Sequence, residues 1–148
     1  LGAWLDRAFD IQLPFTLAGA VLAETFVAMP FLVIAAEAGF RQVDARLEQA
    51  AATLGATRLR VFTRITLPLA APALGAGAAL CWARALGEFG ATVVVAGNVR
   101  GRTQTLALAI FEDIQLGRGD SALHLVAISS ALAFCLILAY ERLQRKAP

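Results

Sequence analysis

The chain has 148 residues, of which 59% are hydrophobic and only 16% are charged, and its formal net charge is +2. An average soluble domain carries about 25% charged residues, so this composition favours a membrane protein. The small net charge gives no support for nucleic-acid binding. Cys81 and Cys135 lie in apolar runs, at a spacing that fits neither a metal site nor a redox pair.

Three segments are apolar enough to cross a bilayer, and each is close to the roughly 20 residues that span about 30 Å of hydrocarbon. We predict these spans over residues 14–36, 66–89 and 121–141. Residues 103–116 have helical periodicity but are too short to span, which predicts a short helix at the outer face. The expected fold class is therefore an all-α membrane protein, a helical bundle with about three spans.

The distribution of charge predicts the orientation of the spans. Arginines are concentrated between the first two spans and after the third, whereas those of the 90–120 connection are offset by acidic residues. Cytoplasmic loops carry an excess of Lys and Arg, so the 37–65 loop and the C-terminus should face the cytoplasm. The 90–120 connection should then face outward.

The sequence pattern of residues 43–65 predicts a helix, a glycine turn and a second helix. Asp44 can cap the first helix, and Gly55 fits its end because a left-handed conformation is cheap for glycine. Thr57 can cap the second helix, and Pro68 should fall in the first turn of the next span. Taken alone, this pattern also fits an amphipathic linker. A DNA-binding helix-turn-helix is disfavoured because two flanking spans would hold the loop against the membrane.

The same loop resembles the signature loop of permeases in ATP-binding-cassette importers. That pattern has a Glu and two Ala, then a Gly, then nine residues and Ile-x-Leu-Pro. The matching residues here are Glu48, Ala50, Ala51, Gly55, Ile65, Leu67 and Pro68. The glutamate stands one position earlier than in the commonest form, where this chain has Gln49. The resemblance implies that residues 43–65 are a coupling loop that docks into a groove on the ATPase subunit.

A second resemblance lies at the end of the middle span. Residues 83–98 are similar to the segment of molybdate and sulfate permeases in which a Gly-Glu-Phe-Gly element closes the span, here Gly87, Glu88, Phe89 and Gly90. Residues 103–115 resemble the molybdate branch. Together the resemblance covers residues 21–142 and implies the type I importer permease fold. Because family members begin with further spans, we expect residues 1–148 to be the C-terminal portion of one permease domain.

Three charged residues, Glu24, Arg84 and Glu88, fall within the predicted spans. Each costs about 2.5–3.5 kcal/mol at mid-bilayer, so they should face protein or water. Arg84 and Glu88 are four residues apart and can pair on one helix face. They either neutralise one another near the outer interface or line or support the translocation path, and Glu24 is expected to have a packing or hydrogen-bonding role. The path candidates are Arg84, Gly87, Glu88, Phe89 and Gly90.

The middle span also carries a small residue at every fourth position. A row of this kind allows two helices to approach closely. It could serve the fold or a second copy of the chain. The row is Ala71, Gly75, Ala79, Ala83 and Gly87.

The resemblance implies a translocation subunit of the bacterial inner membrane, without a cofactor, that carries molybdate by alternating access. It implies four partners: a separate ATPase, a periplasmic anion-binding protein, a second permease copy and membrane lipid. Sulfate, thiosulfate or tungstate remain alternative cargoes. A secondary transporter without an ATPase is a further alternative, but it leaves the Gly-x9-Ile-x-Leu-Pro loop unexplained. The chain contains no phosphate-binding Walker-A motif and no recognised hydrolase motif, so an enzyme is not expected.

Overall fold

The computed structural model describes residues 14–144 and the side chains of residues 14–142. All regular secondary structure in this part is helical, which confirms the expected all-α fold. Seven α-helices and one π-helical turn follow one another along the chain. They are α1 (Leu17–Arg41), α2 (Ala45–Thr53), α3 (Arg58–Val61), the π turn (Phe62–Thr66), α4 (Leu67–Leu86), α5 (Gly90–Ala96), α6 (Leu106–Gln115) and α7 (Gly119–Gln144).

Three helical runs in the described part are long and apolar enough to cross a membrane: Leu17–Arg41, Arg58–Leu86 and Gly119–Arg142. Large apolar side chains project outward from these runs, among them Phe26 (84% exposed) and Phe134 (67% exposed). Such surfaces need lipid or protein to cover them. The expectation of three potential spans is therefore confirmed.

The helices pack into two compact units, each built from segments distant in sequence. Among the described residues, one unit comprises residues 14–28 together with Trp82–Leu136, and its core includes the fully buried Thr92 and Leu108. The other comprises Met29–Cys81 together with residues 137–144. Alanine and glycine supply much of the interior of both units, and Thr92 and Thr103 add to that of the first, so backbones come close together.

In the second unit, α4 packs against α1 through small residues. A Cβ atom added at Gly77 would lie 2.6 Å from the Cβ of Ala35, and one added at Gly39 would lie 2.5 Å from the Cβ of Ala73. Real Cβ atoms essentially never approach other atoms this closely. Helices α1 and α4 therefore touch along a seam that only glycine fits at these two positions.

Gly75, a member of the predicted row of small residues, faces a different neighbour. Its missing Cβ would meet the ring of Tyr140 on α7, 2.6 Å from Cε2. The Tyr140 hydroxyl donates a hydrogen bond to the carbonyl of Pro72. The seam with α1 instead uses Ala70, Ala73 and Gly77, which lie on another face of α4.

No break separates the second loop helix from the middle span. The helical run is continuous from Arg58 to Leu86, and the π turn joins α3 to α4. Within the turn the N–H of Leu67 donates to the carbonyl of Phe62, five residues back. Pro68 follows at once, and a proline there removes an α-helical hydrogen bond and crowds the preceding turn. The wider turn relieves that conflict.

The seam between α1 and α4 predicts the effect of one added methyl group. In the full-length subunit, Gly77→Ala should push α1 and α4 apart and lower the free energy of unfolding by about 1–3 kcal/mol, the usual cost of overpacking. Thermal unfolding of the purified protein in detergent would measure this. Gly119→Ala is the control, because a Cβ there meets no atom within 4 Å. Equal unfolding temperatures for both variants would contradict the close packing.

Candidate functional site

The loop between α1 and α4 is defined by local capping. The Asp44 carboxylate accepts the N–H of Arg46 at 2.9 Å and so caps α2, as predicted. Gly55 has φ of +83°, which confirms the predicted left-handed turn after α2. The Thr57 hydroxyl accepts the N–H of Arg60 at 3.4 Å at the start of α3. These bonds fix where each loop helix begins and ends.

The loop exposes apolar side chains on both sides of the glycine turn. Leu54 is 88% exposed and Leu59 is 72% exposed. Of the two alanines in the loop pattern, Ala50 is exposed and Ala51 is half-buried. The loop therefore offers a small-residue helix face beside two projecting leucines, a surface suited to close approach by another protein.

The side chain of Glu48 lies toward the base of the middle span. Its Oε1 accepts a hydrogen bond from the Thr66 hydroxyl at 2.5 Å, while the neighbouring Gln49 is exposed. Sequence reasoning selected Glu48 but missed Thr66. The remaining residues of the loop pattern lie near this point, with Ile65 half-buried and both Leu67 and Pro68 exposed.

The Gly-Glu-Phe-Gly element stands where the middle span ends. α4 stops at Leu86, and Glu88 is 6% exposed in the bend that leads into α5. One Glu88 oxygen lies 2.7 Å from the Arg84 guanidinium, and the other accepts the N–H of Ala91 at 2.9 Å. Glu88 thus compensates one charge and satisfies one backbone donor at the start of α5.

The other three residues of this element, Gly87, Phe89 and Gly90, flank Glu88 and make different contacts. Phe89 stacks obliquely on Phe111 of α6, with ring centroids 4.6 Å apart. Gly87 and Gly90 are exposed. The structure therefore brings Arg84 and Glu88 together as predicted, while Phe89 packs the bend against α6.

A small cavity lies beside this bend within the first unit. Its volume is about 230 Å³, and its lining includes Glu24, Trp82 and Thr105. Glu24 is half-buried. No group of three His, Cys, Asp or Glu side chains among the described residues is arranged to hold a metal ion.

The connection from α5 to α7 is organised by a carboxylate that sequence reasoning did not select. Glu112 accepts hydrogen bonds from Asn98 at 2.9 Å and from Gln104 at 2.6 Å, and it lies 3.4 Å from Arg100. Arg118 pairs with the adjacent Asp113 at 3.0 Å. These interactions hold α6 against the turn before it. Glu112 stands beside Asp113 in a largely apolar helix, and the sequence does not show which distant residues it contacts.

Comparisons with known proteins place these features in a family. Residues 3–147 match the family described as binding-protein-dependent transport system inner membrane component. The molybdenum transport system permease protein ModB of Escherichia coli strain K12 is 46% identical over 98% of this chain and 64% of its own length. ModB of Haemophilus influenzae is 40% identical over 99% of this chain and 64% of its own length. The sulfate transport system permease protein CysT of E. coli K12 is 36% identical over 98% of this chain and 52% of its own length.

The chain spans less than two thirds of the length of each of these relatives. The family match nevertheless extends over nearly every residue of the chain, including the loop pattern and the Gly-Glu-Phe-Gly element. The chain therefore belongs to the family of binding-protein-dependent transport system inner membrane components.

Proposed function

We propose that this chain forms part of the translocation subunit of an ATP-driven importer that carries molybdate across the inner membrane by alternating access. The observation that carries the proposal is the Gly55-x9-Ile65-x-Leu67-Pro68 loop, whose second helix continues without a break into a potential span. A partner bound to this loop is connected to the membrane helices through one continuous helical run. An ATP-driven importer needs such a connection, because motion of the ATPase has to reach the membrane helices.

The loop and the C-terminus face the cytoplasm in this proposal. Arg46, Arg58, Arg60 and Arg64 are all exposed on the loop, which supports a cytoplasmic position by the positive-inside rule. At the opposite end, Arg118 is paired with Asp113, and Arg100 lies near Glu112. The balanced charge of that connection supports an outward position.

The loop is the docking surface for a separate ATPase subunit. Helix α2 exposes Ala50, and Leu54 projects from the C-cap of α2 and Leu59 from beyond the Gly55 turn. An apolar surface held by caps at both helices suits insertion into a groove with little loss of conformational entropy. When the ATPase dimer closes, displacement of the loop would rotate the spans and change the side that is open.

The remaining partners follow from the other exposed surfaces. The outward connection, ordered by Glu112, is the surface for a periplasmic anion-binding protein. The apolar faces of α1, α4 and α7 would be covered by lipid and by a second permease copy. Selectivity can rest largely on the binding protein, because a path that held the anion strongly would slow its release.

Arg84, Gly87, Glu88, Phe89 and Gly90 are the candidates for the path in this chain. Arg84 is the member that could meet an anion, since 37% of its side chain is exposed while Glu88 is nearly buried. Glu88 would reduce the net charge that the anion meets and would keep Arg84 in one orientation. A positive charge that is partly offset in this way suits brief contact between Arg84 and the transported anion.

Molybdate is favoured over sulfate by the relatives. The two ModB proteins are 46% and 40% identical to this chain, and the sulfate permease is 36% identical. Sulfate, thiosulfate and tungstate are the alternatives within the same class. These anions are tetrahedral or nearly so and doubly charged, so competition between them is the informative measurement.

Uptake tests the class and the cargo together. The full-length permease, expressed with its ATPase and binding protein in cells lacking their own molybdate importer, should take up molybdate in an ATP-dependent manner that resists excess sulfate. Uptake that sulfate abolishes would move the cargo to sulfate. If neither anion is taken up, the proposed function is wrong.

The Gly55 turn gives a test of coupling. Gly55→Leu should leave the spans inserted but strain the backbone, since φ is +83° and a side chain there costs about 1–2 kcal/mol. We expect weaker ATPase binding in a pull-down and several-fold slower uptake. Gly101→Leu is the matched control, because it has φ of +75° and an equally open surrounding but lies on the outward connection. Normal assembly and uptake by the Gly55 variant would remove the coupling role.

The intramembrane charges give a second test. Glu88→Ala leaves Arg84 without its partner and the N–H of Ala91 without its acceptor, so uptake per inserted complex should fall well below that of Glu24→Gln. Uptake is normalised to the amount of assembled complex in the membrane. Two variants with equal uptake would remove Glu88 from the path candidates.

A further inference from the structure

One contact of the loop is not explained by docking to an ATPase. Glu48 stands in the first turn of α2, yet its carboxylate accepts a hydrogen bond from Thr66, 18 residues further along the chain. The oxygen–oxygen distance of 2.5 Å is at the short end for a hydroxyl donating to a carboxylate. Both side chains are half-buried in an open cleft of about 370 Å³ between α2 and the helix that follows it. We name this contact the Glu48–Thr66 bridge.

Thr66 occupies a special position in the middle helical run. It is the last residue of the π turn, and Leu67 begins α4. π-helical turns are rare and are found disproportionately at functional sites. Within the turn, Thr63 donates its hydroxyl to the carbonyl of Leu59 at 2.9 Å, a side-chain bond that often bends helices. The backbone between α3 and α4 is therefore the least regular part of this run.

The covalent route from α2 to α4 passes through two irregular points. The first is the left-handed Gly55 turn, and the second is the π turn over Phe62–Thr66. A displacement of α2 that followed only the backbone could be absorbed at either point. The Glu48–Thr66 bridge spans both of them and joins α2 directly to the residue before α4.

We propose that Glu48 is a positioning residue that acts through Thr66 to transmit displacement of α2 to the base of α4. The inference rests on the proposed function of the loop as the coupling element. Glu48 then acts inside the subunit, and the exposed Gln49 is the side chain of this pair that faces a partner. Loss of the Glu48–Thr66 bridge should leave the ATPase bound to the loop. Part of the displacement of α2 would then be absorbed within the loop and would not reach α4.

The test uses the full-length permease assembled with its ATPase and binding protein in proteoliposomes. Molybdate transported per ATP hydrolysed measures transmission, and the Kd of the ATPase for the permease measures docking. Thr66→Val removes the hydroxyl with little change of shape, and Glu48→Ala removes the acceptor. Thr66→Ser and Glu48→Gln retain a donor and an acceptor, and Gln49→Ala is the neighbouring control. Each value is taken per assembled complex.

Loss of a hydrogen bond to a charged acceptor shifts an equilibrium by roughly tenfold. We therefore expect the molybdate transported per ATP hydrolysed to fall about tenfold in Thr66→Val and in Glu48→Ala. The ATPase Kd should stay within about twofold of wild type, and the double variant should be no worse than either single one, because both remove the same bond. Thr66→Ser and Glu48→Gln should restore most of the ratio.

Two results would overturn the inference while leaving the proposed function intact. An active wild-type complex whose Thr66→Val and Glu48→Ala variants keep the normal ratio would show that the bridge transmits nothing. A Glu48→Ala variant that weakens ATPase binding many-fold, while Thr66→Val does not, would make Glu48 a docking contact. By contrast, a wild-type complex that imports no molybdate would count against the proposed function itself.

Discussion

A lipid-embedded backbone has no water to hydrogen-bond with, and this constraint accounts for most of the fold. Every N–H and C=O group in the hydrocarbon must find a partner within the protein, which leaves helices as the economical solution for a chain of this composition. The irregular places are therefore informative. They are the π turn before Pro68 and the bend at Glu88. Each holds a carboxylate contact: Thr66, in the π turn, donates its hydroxyl to Glu48, and Glu88, in the bend, accepts the backbone N–H of Ala91. Both irregular places lie at the ends of α4.

Small residues determine how the helices meet. Water does not drive association between helices in a membrane, so close packing contributes more of the stability there. Gly39 and Gly77 let α1 and α4 touch, and Gly75 receives the ring of Tyr140. Within the second unit, α4 is packed on two faces, against α1 and against Tyr140 of α7. This packing suits the proposed role, in which displacement of the loop moves one end of α4. A loosely packed helix would absorb that motion.

Local features were predictable from the sequence, and long-range ones were not. Asp44 and Gly55 were identified because a cap or a left-handed turn depends on a few neighbouring residues. The partner of Glu48 was not predicted, because the π turn changes the direction in which Thr66 projects and no periodicity reveals such a turn. The α1 seam was missed for a similar reason, since several small-residue rows run along α4 and sequence alone does not select the face that α1 covers. Glu112 gave no local signal at all.

The contact between Gly75 and Tyr140 limits which residues can stand together at these two positions. A side chain at position 75 and an aromatic ring at position 140 cannot occupy the same space, since the gap left for a Cβ is only 2.6 Å. The same tyrosine also donates to the carbonyl of Pro72, one helical turn away on α4. The residues at positions 75 and 140, which lie far apart in the sequence, therefore constrain one another. Exchanging α7 between related permeases would succeed only where the donor and the recipient agree at both.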